Sequence, residues 1–177
     1  MASGTLIPVT EYLETTYRPD CDYIDGELRE RNVGEQPHAA IQAIFAGIFR
    51  EHRATWKVLA LTEQRIQTSS THYLIADVCI LRRTDPFDRI VHKAPLICIE
   101  VLSRGDTLSD MLDRVDDYAN MGVQHIWIID PGNRRGYVAS TSGLQQPASG
   151  ELTVPGTPIR ISLAEIWAEF DELQPQG

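Results

Sequence analysis

The chain is short of positive charge. Against 25 Asp and Glu it carries 16 Lys and Arg, a formal net charge of −9. Proteins that hold nucleic acid usually show a basic footprint, so this balance argues against tight non-specific DNA binding. It leaves a local basic patch, or bound metal ions, as the routes to nucleic acid. Long apolar runs are missing too. None approaches the roughly 18–20 residues that span a bilayer, so no membrane partner is expected. The first residues, MASGTLIPV, have neither a basic n-region nor an apolar h-region and do not read as a secretory signal. Cysteine is scarce: Cys21, Cys79 and Cys98 form an odd number without metal-ligand spacing. Cys79 and Cys98 lie in apolar runs and read as buried free thiols, which suits a reducing cytoplasm. No repeat or long linker divides the sequence, and 177 residues favour one domain over 1–177.

What is present is the composition of a folded domain, 42% hydrophobic and 23% charged. PVTEYLETTY suits a short helix over 8–17. In CDYIDGELRERNV, Asp25-Gly26 is a two-residue turn between strand-like arms, a β-hairpin. From Pro37, Ile41, Ile44, Phe45, Ile48 and Phe49 recur at helical spacing, with His38 at the helix mouth. WKVLALTEQRIQ reads as one or two strands, and YLIADVCIL and LICIEVLS as central ones. RRTDPFDRIVHKAP between them is a polar loop. Thr107 and Asp110 open a helix in capping-box fashion and Gly122 stops it. VQHIWIID is a third buried strand, and Ser162 with Glu165 caps a last helix. The order predicts an α/β (α+β) fold, a central mixed β-sheet flanked by helices.

Asp77 and Glu100 interrupt two otherwise apolar strands. A lone buried carboxylate is costly, so such groups are paired, protonated or bound to a cation. Mg²⁺ takes one or two carboxylates, with carbonyl and water oxygens completing its shell. The Val101 carbonyl, next to Glu100, is a candidate ligand. The alternative is that both carboxylates sit at strand ends and meet Arg82, Arg104 or Arg114.

The run ADVCIL, then ICIEVLS, then DTLSDMLDRVDDY, then GVQHIWIIDP resembles the Uma-type family of restriction endonucleases, within the PD-(D/E)XK nuclease superfamily. YIDGELRE followed by His38 and an amphipathic helix resembles it as well. The resemblance implies a restriction-endonuclease-like core and Mg²⁺-dependent (Mn²⁺ as substitute) cleavage of nucleic acid, DNA first, by a protein that dimerises. It makes Asp77 and Glu100 the metal-holding acids. It assigns Arg114 to the place where many members carry a lysine, four residues before a tyrosine. It sets Glu27 and His38 near the catalytic end.

The sequence departs from that pattern. Ala76 stands where the motif has proline, and Leu102 where E-x-K has lysine. Arginine stays protonated, so Arg114 cannot act as a general base, although it can stabilise charge on a phosphate. Arg114 can instead pair with Asp110 on its own helix. His38 can be a helix cap and Glu27 a solvated strand residue. Asp130, before Pro131-Gly132, reads as a turn cap. Beside the nuclease stand two other readings, a binding module that kept the fold without the chemistry and a protein-interaction domain. The apolar C-terminal helix is a candidate dimer surface.

Overall fold

The computed structural model describes residues 6–31 and 35–173. A short helix α1 (Val9–Glu14) precedes the hairpin β1 (Cys21–Ile24) and β2 (Glu27–Glu30). Helix α2 (Gln36–Glu51) follows, then the long strands β3 (Val58–Gln67) and β4 (His72–Arg82) and the central β5 (Ile97–Val101). Helix α3 (Leu108–Met121) leads to β6 (His125–Asp130), β7 (Arg135–Ser140) and β8 (Gly143–Gln145). The small strands β9 (Glu151–Thr153) and β10 (Arg160–Ser162) and helix α4 (Leu163–Glu172) complete the described chain.

Local chemistry explains the boundaries. Asp25 and Gly26 both have positive φ, +50° and +92°, as the tight hairpin turn requires. Thr107 Oγ1 accepts from the Asp110 amide at 3.1 Å, and Gly122 ends α3 in the left-handed conformation. Ser162 Oγ accepts from the Glu165 amide at 3.3 Å. Asp130 caps its turn by accepting from the Asn133 amide at 3.0 Å. WKVLALTEQRIQ forms one strand, not two.

The main sheet runs β2-β1-β4-β5-β6-β7-β8, with β3 paired to β4 off that path. The β5–β6 pair is parallel, and α3 supplies the crossover. Helices α2 and α4 cover one face: Ile41, Ile44, Phe45 and Phe49 pack with Ile166, Phe170, Trp127 and the inner residues of β4 and β5. Phe45 is fully buried, so Phe45→Ala should cost about 3–5 kcal/mol. Helix α3 covers the other face through Met111, Val115 and Tyr118. The apolar face of α4 is therefore used inside the chain, a correction to its expected role as a dimer surface. Its periodicity could not tell a partner helix from the chain's own core.

One feature of the sheet positions the buried charged residues. Strand β3 pairs with β4 along nearly its whole length. Strands β1 and β5 must therefore share the opposite edge, β1 at His72–Tyr73 and β5 at Val78–Ile80. Between them lies a fork, with β4 residues 74–77 paired to neither. Side-chain alternation also inverts there. Leu74 and Ala76 pack on the α3 side, whereas Val78 and Ile80 pack on the α2 side. An unbroken strand would keep all four on one face. The inversion falls at Asp77, opposite Glu63, whose φ of +50° lies outside the strand region. Gln42 of α2 fills the break: its Nε2 donates to the Asp77 carbonyl at 2.7 Å and to Glu63 Oε1 at 2.6 Å.

Candidate functional site

Four polar or charged residues are buried as a whole among the described residues: Asp22, His38, Asp77 and Glu100. All four line one cavity of about 280 Å³ at the fork, together with Arg31, Arg114 and the acids Asp106, Asp110, Asp113 and Asp117 of the α3 side. A set of groups that costs so much to bury has been gathered in one place, where each can be compensated by another.

Asp77 comes from the break in β4. Its Oδ2 accepts from the Val101 amide at 2.7 Å and faces His38 Nε2 at 3.2 Å. Its Oδ1 accepts from Arg31 Nη2. Burial pushes its carboxyl up, but the His38 hydrogen bond and the Arg31 charge outweigh it and hold it below the ordinary carboxylate value. The same contact acts on His38: burial lowers its pKa, and the bond and charge of Asp77 carry it above its ordinary value.

Glu100 comes from β5. Its Oε1 accepts from the Tyr118 hydroxyl at 2.5 Å and from Arg114 Nη2 at 3.0 Å. Burial dominates here. Arg114 lowers the pKa and Asp77 raises it, and the carboxyl ends pushed up to about 7. Near neutral pH it stands between its two protonation states.

Arg114 is held through both terminal nitrogens, while its buried Nε has no hydrogen-bond partner among the described residues. One face of α3 carries it and Tyr118 one turn apart, toward the fork. Nη1 donates to Asp22 Oδ2, and Nη2 to the Ile75 carbonyl at 2.7 Å, besides Glu100. Asp22 Oδ1 in turn accepts from the Ile75 amide at 2.7 Å. Asp22 and Arg114 thus satisfy the β4 backbone groups that the fork leaves without a strand partner.

The structure brings Asp77, Glu100, Arg114 and His38 together, with Val101 beside them through its amide. Glu27 is not among them. It is exposed at the turn end of β2, opposite Ile24, and does not line the cavity. Strand alternation sets Glu27 on the face of Arg29, which lines the cavity, but two residues farther along β2 towards the turn. Of the arginines expected at the carboxylates, only Arg114 is there. Arg82 lies 3.8 Å from Asp85 and Arg104 3.9 Å from Glu35. Asp110 bonds Thr107 rather than Arg114.

Sequence reasoning missed Asp22, Arg31 and the hydroxyl of Tyr118. Asp22 carried a usable signal, an acid inside CDYI beside two residues that are buried. Arg31 carried none, since it reads as one charge among several in ELRERN.

No described helix is long and apolar enough to cross a membrane. A crystal structure described as "a putative nuclease belonging to DUF820 from Anabaena variabilis" aligns with a TM-score of 0.80 at 19% identity, covering 93% of this chain and 99% of that one. It shares the fold, a mixed central sheet of the restriction-endonuclease-like kind with flanking helices. The cryoEM structure of the DrdV–DNA complex aligns at a TM-score of 0.44 and 14% identity over 80% of this chain and 12% of its own, too slight a likeness to argue from. No curated protein matches the sequence. The Uma2 family, described as "Putative restriction endonuclease", matches residues 9–163, and the chain belongs to that family.

Proposed function

We propose that this chain, acting as one domain, hydrolyses phosphodiester bonds of nucleic acid, DNA first, with a divalent cation, Mg²⁺ or Mn²⁺. The observation that carries the reading is the convergence of Asp77 and Glu100, from neighbouring strands, with His38 and Arg114, from two helices, on a single cavity. Membership of the family supports it.

The residues fit a cation under one condition. Among the described residues no three or more His, Cys, Asp or Glu side chains form a ready metal cage. Mg²⁺ does not need one, since one or two carboxylates suffice when substrate phosphates and water complete the shell. Asp77 and Glu100 supply two, and the Val101 carbonyl is the third candidate. The condition is that Arg31 must leave Asp77 Oδ1. A cation held there would lower the pKa of a bound water and neutralise the scissile phosphate.

The chain's own residues do the rest. Arg114 holds Glu100 in place and keeps a permanent positive charge beside it. Tyr118 donates to the same carboxylate oxygen, so two side chains of α3 fix that oxygen of Glu100. His38 and the Val101 amide fix Asp77 Oδ2, which leaves Oδ1 as the oxygen to face a ligand. A homodimer enters the proposal from the family resemblance alone. A reducing, cytoplasmic setting is supported by three free and buried thiols.

A second reading has an observation of its own. With Arg31 on Asp77 and Arg114 on Glu100, both acids already carry a counter-charge, as a module that binds phosphate without cleaving it would have them. Cleavage of duplex DNA in Mg²⁺ or Mn²⁺ by the wild type, Asp77→Ala and Arg114→Lys separates the two. Cleavage lost in Asp77→Ala, together with saturable Mn²⁺ binding lost in the same variant by calorimetry, supports the enzyme. Metal binding that survives Asp77→Ala, or no cleavage of any duplex or single strand by the wild type, sinks it in favour of the binding module.

A further inference from the structure

The two arginines that pair with Asp77 and Glu100 are held differently. Arg114 is bonded to Asp22, Ile75, Glu100 and Tyr118. The Arg31 side chain, among the described residues, hydrogen-bonds Asp77 Oδ1 alone. Its Nη1 is buried and has no hydrogen-bond partner. Arg114 keeps one idle buried nitrogen too, Nε, so what separates the two among the described residues is the number of partners, four against one. The oxygen it covers is also the one a ligand would need. Oδ2 of Asp77 is committed to Val101 and His38, and among the described residues Oδ1 answers only to Arg31. Arg31 sits just past the end of β2, on a chain that is tied back by its amide to the Asp20 carbonyl at 2.9 Å. Its side chain reaches the cavity from the hairpin side, opposite the strands that carry the acids.

We infer that Arg31 is a displaceable counter-ion, which occupies the cation's place at Asp77 in the free protein and moves onto a substrate phosphate when the cation enters. This rests on the metal-dependent reading of the site and adds a coupling to it. Metal and arginine compete for one oxygen, and an oxyanion that takes the arginine relieves the competition. The metal then binds well only when a phosphate arrives with it, so the free protein holds metal weakly and the scissile group itself completes the site. Arg31 is a positioning and substrate-binding residue in this scheme. It forms no bond in the chemical step.

The test is Mn²⁺ titration by calorimetry on the full chain, in chloride and in sulfate at matched ionic strength, sulfate standing in for the phosphodiester. Wild type, Arg31→Ala, Arg31→Gln and Asp77→Ala are compared, and each variant's melting curve is recorded first. In chloride, Arg31→Ala and Arg31→Gln are expected to bind Mn²⁺ about tenfold tighter than wild type, within the roughly 5–150-fold range of coupled sites. Sulfate is expected to tighten Mn²⁺ binding to the wild type and to leave both Arg31 variants unchanged. Equal affinity in wild type and a folded Arg31 variant, with binding lost in Asp77→Ala, overturns the inference and leaves the metal reading standing. Tighter binding in the variants without any sulfate effect overturns the transfer to phosphate. No saturable binding in any protein, with or without sulfate, overturns both readings together.

Discussion

Arg114 is the residue on which the fork closes, and its removal gives the sharpest test of the architecture. Arg114→Met keeps most of the side-chain length and removes the charge. Asp22 and Glu100 then lose their shared cation in a buried setting, and breaking a buried pair in this way costs about 3–5 kcal/mol. The Ile75 carbonyl loses its donor as well, a further cost of about 1–3 kcal/mol if nothing replaces it. Glu100 limits the damage. Its carboxyl is already pushed up to about 7, so it takes up a proton and sheds its charge. A net loss of about 3–5 kcal/mol lowers the melting midpoint by about 6–20 °C, at 2–4 °C per kcal/mol for a chain of this size. Arg114→Lys keeps the charge, but one ammonium cannot span Asp22, Ile75 and Glu100 at once, and it should fall between the two. The assay is urea unfolding at neutral pH, run as a double-mutant cycle with Asp22→Asn. Contact predicts a coupling of about 0.5–3 kcal/mol. Additive losses, or a loss below about 1 kcal/mol in Arg114→Met, would refute the reasoning and return Arg114 to the outer surface of α3.

Three further outcomes follow from the geometry. His72 bridges Asp117 at 2.9 Å and Asp25 at 3.2 Å; burial lowers its pKa, but these bonds raise it overall, above its ordinary 6.5. Its folded pKa exceeds the unfolded one, so its stabilisation is complete below about pH 6.5 and is lost as pH rises through the folded value. Urea unfolding of His72→Gln should lack that decline, and an unchanged pH profile would rule the bridge out. Gln42→Ala leaves the Asp77 carbonyl without its donor in the strand break, with an expected loss of about 1–3 kcal/mol in the same unfolding assay. Cys79 and Cys98 face each other across β4 and β5, and burial raises both thiols well above their ordinary value. Alkylation followed by mass spectrometry should label neither in the native protein and both in urea; fast native labelling would contradict their burial.

Much of the fold was legible because its causes are local. Asp25-Gly26, Thr107, Gly122 and Ser162 act on their own few residues, and the turn and caps they predict are present. Asp77 and Glu100 were legible for a different reason. A charge inside an apolar run needs a partner somewhere, whatever the fold. Who that partner is was not legible. Arg31 reaches Asp77 across 46 residues of sequence and Arg114 reaches Asp22 across 92. Nothing in ELRERN or CDYI encodes such a distance. Glu27 misled for the converse reason. Its place in a motif-like segment said nothing of how far along the hairpin the cavity extends, and Glu27 stands at the turn end, beyond Arg29.

The sequence by itself determined the class of fold, the three buried strands, the caps of α3 and α4 and the two acids that had to be compensated. These follow from hydrophobic period, backbone chemistry and the cost of burying charge, all of which act within a few residues. Only the tertiary structure decided the fork between β1 and β5, the inversion of β4 at Asp77 and the two arginines that answer the acids. The inversion needs Glu63 in a left-handed conformation without a glycine, held by Gln42 from another element. The fork leaves the Ile75 backbone without a strand partner on that edge, and a side chain from α3 and one from β1 satisfy it. Both are solutions to hydrogen-bonding and charge deficits that exist only once the sheet has formed.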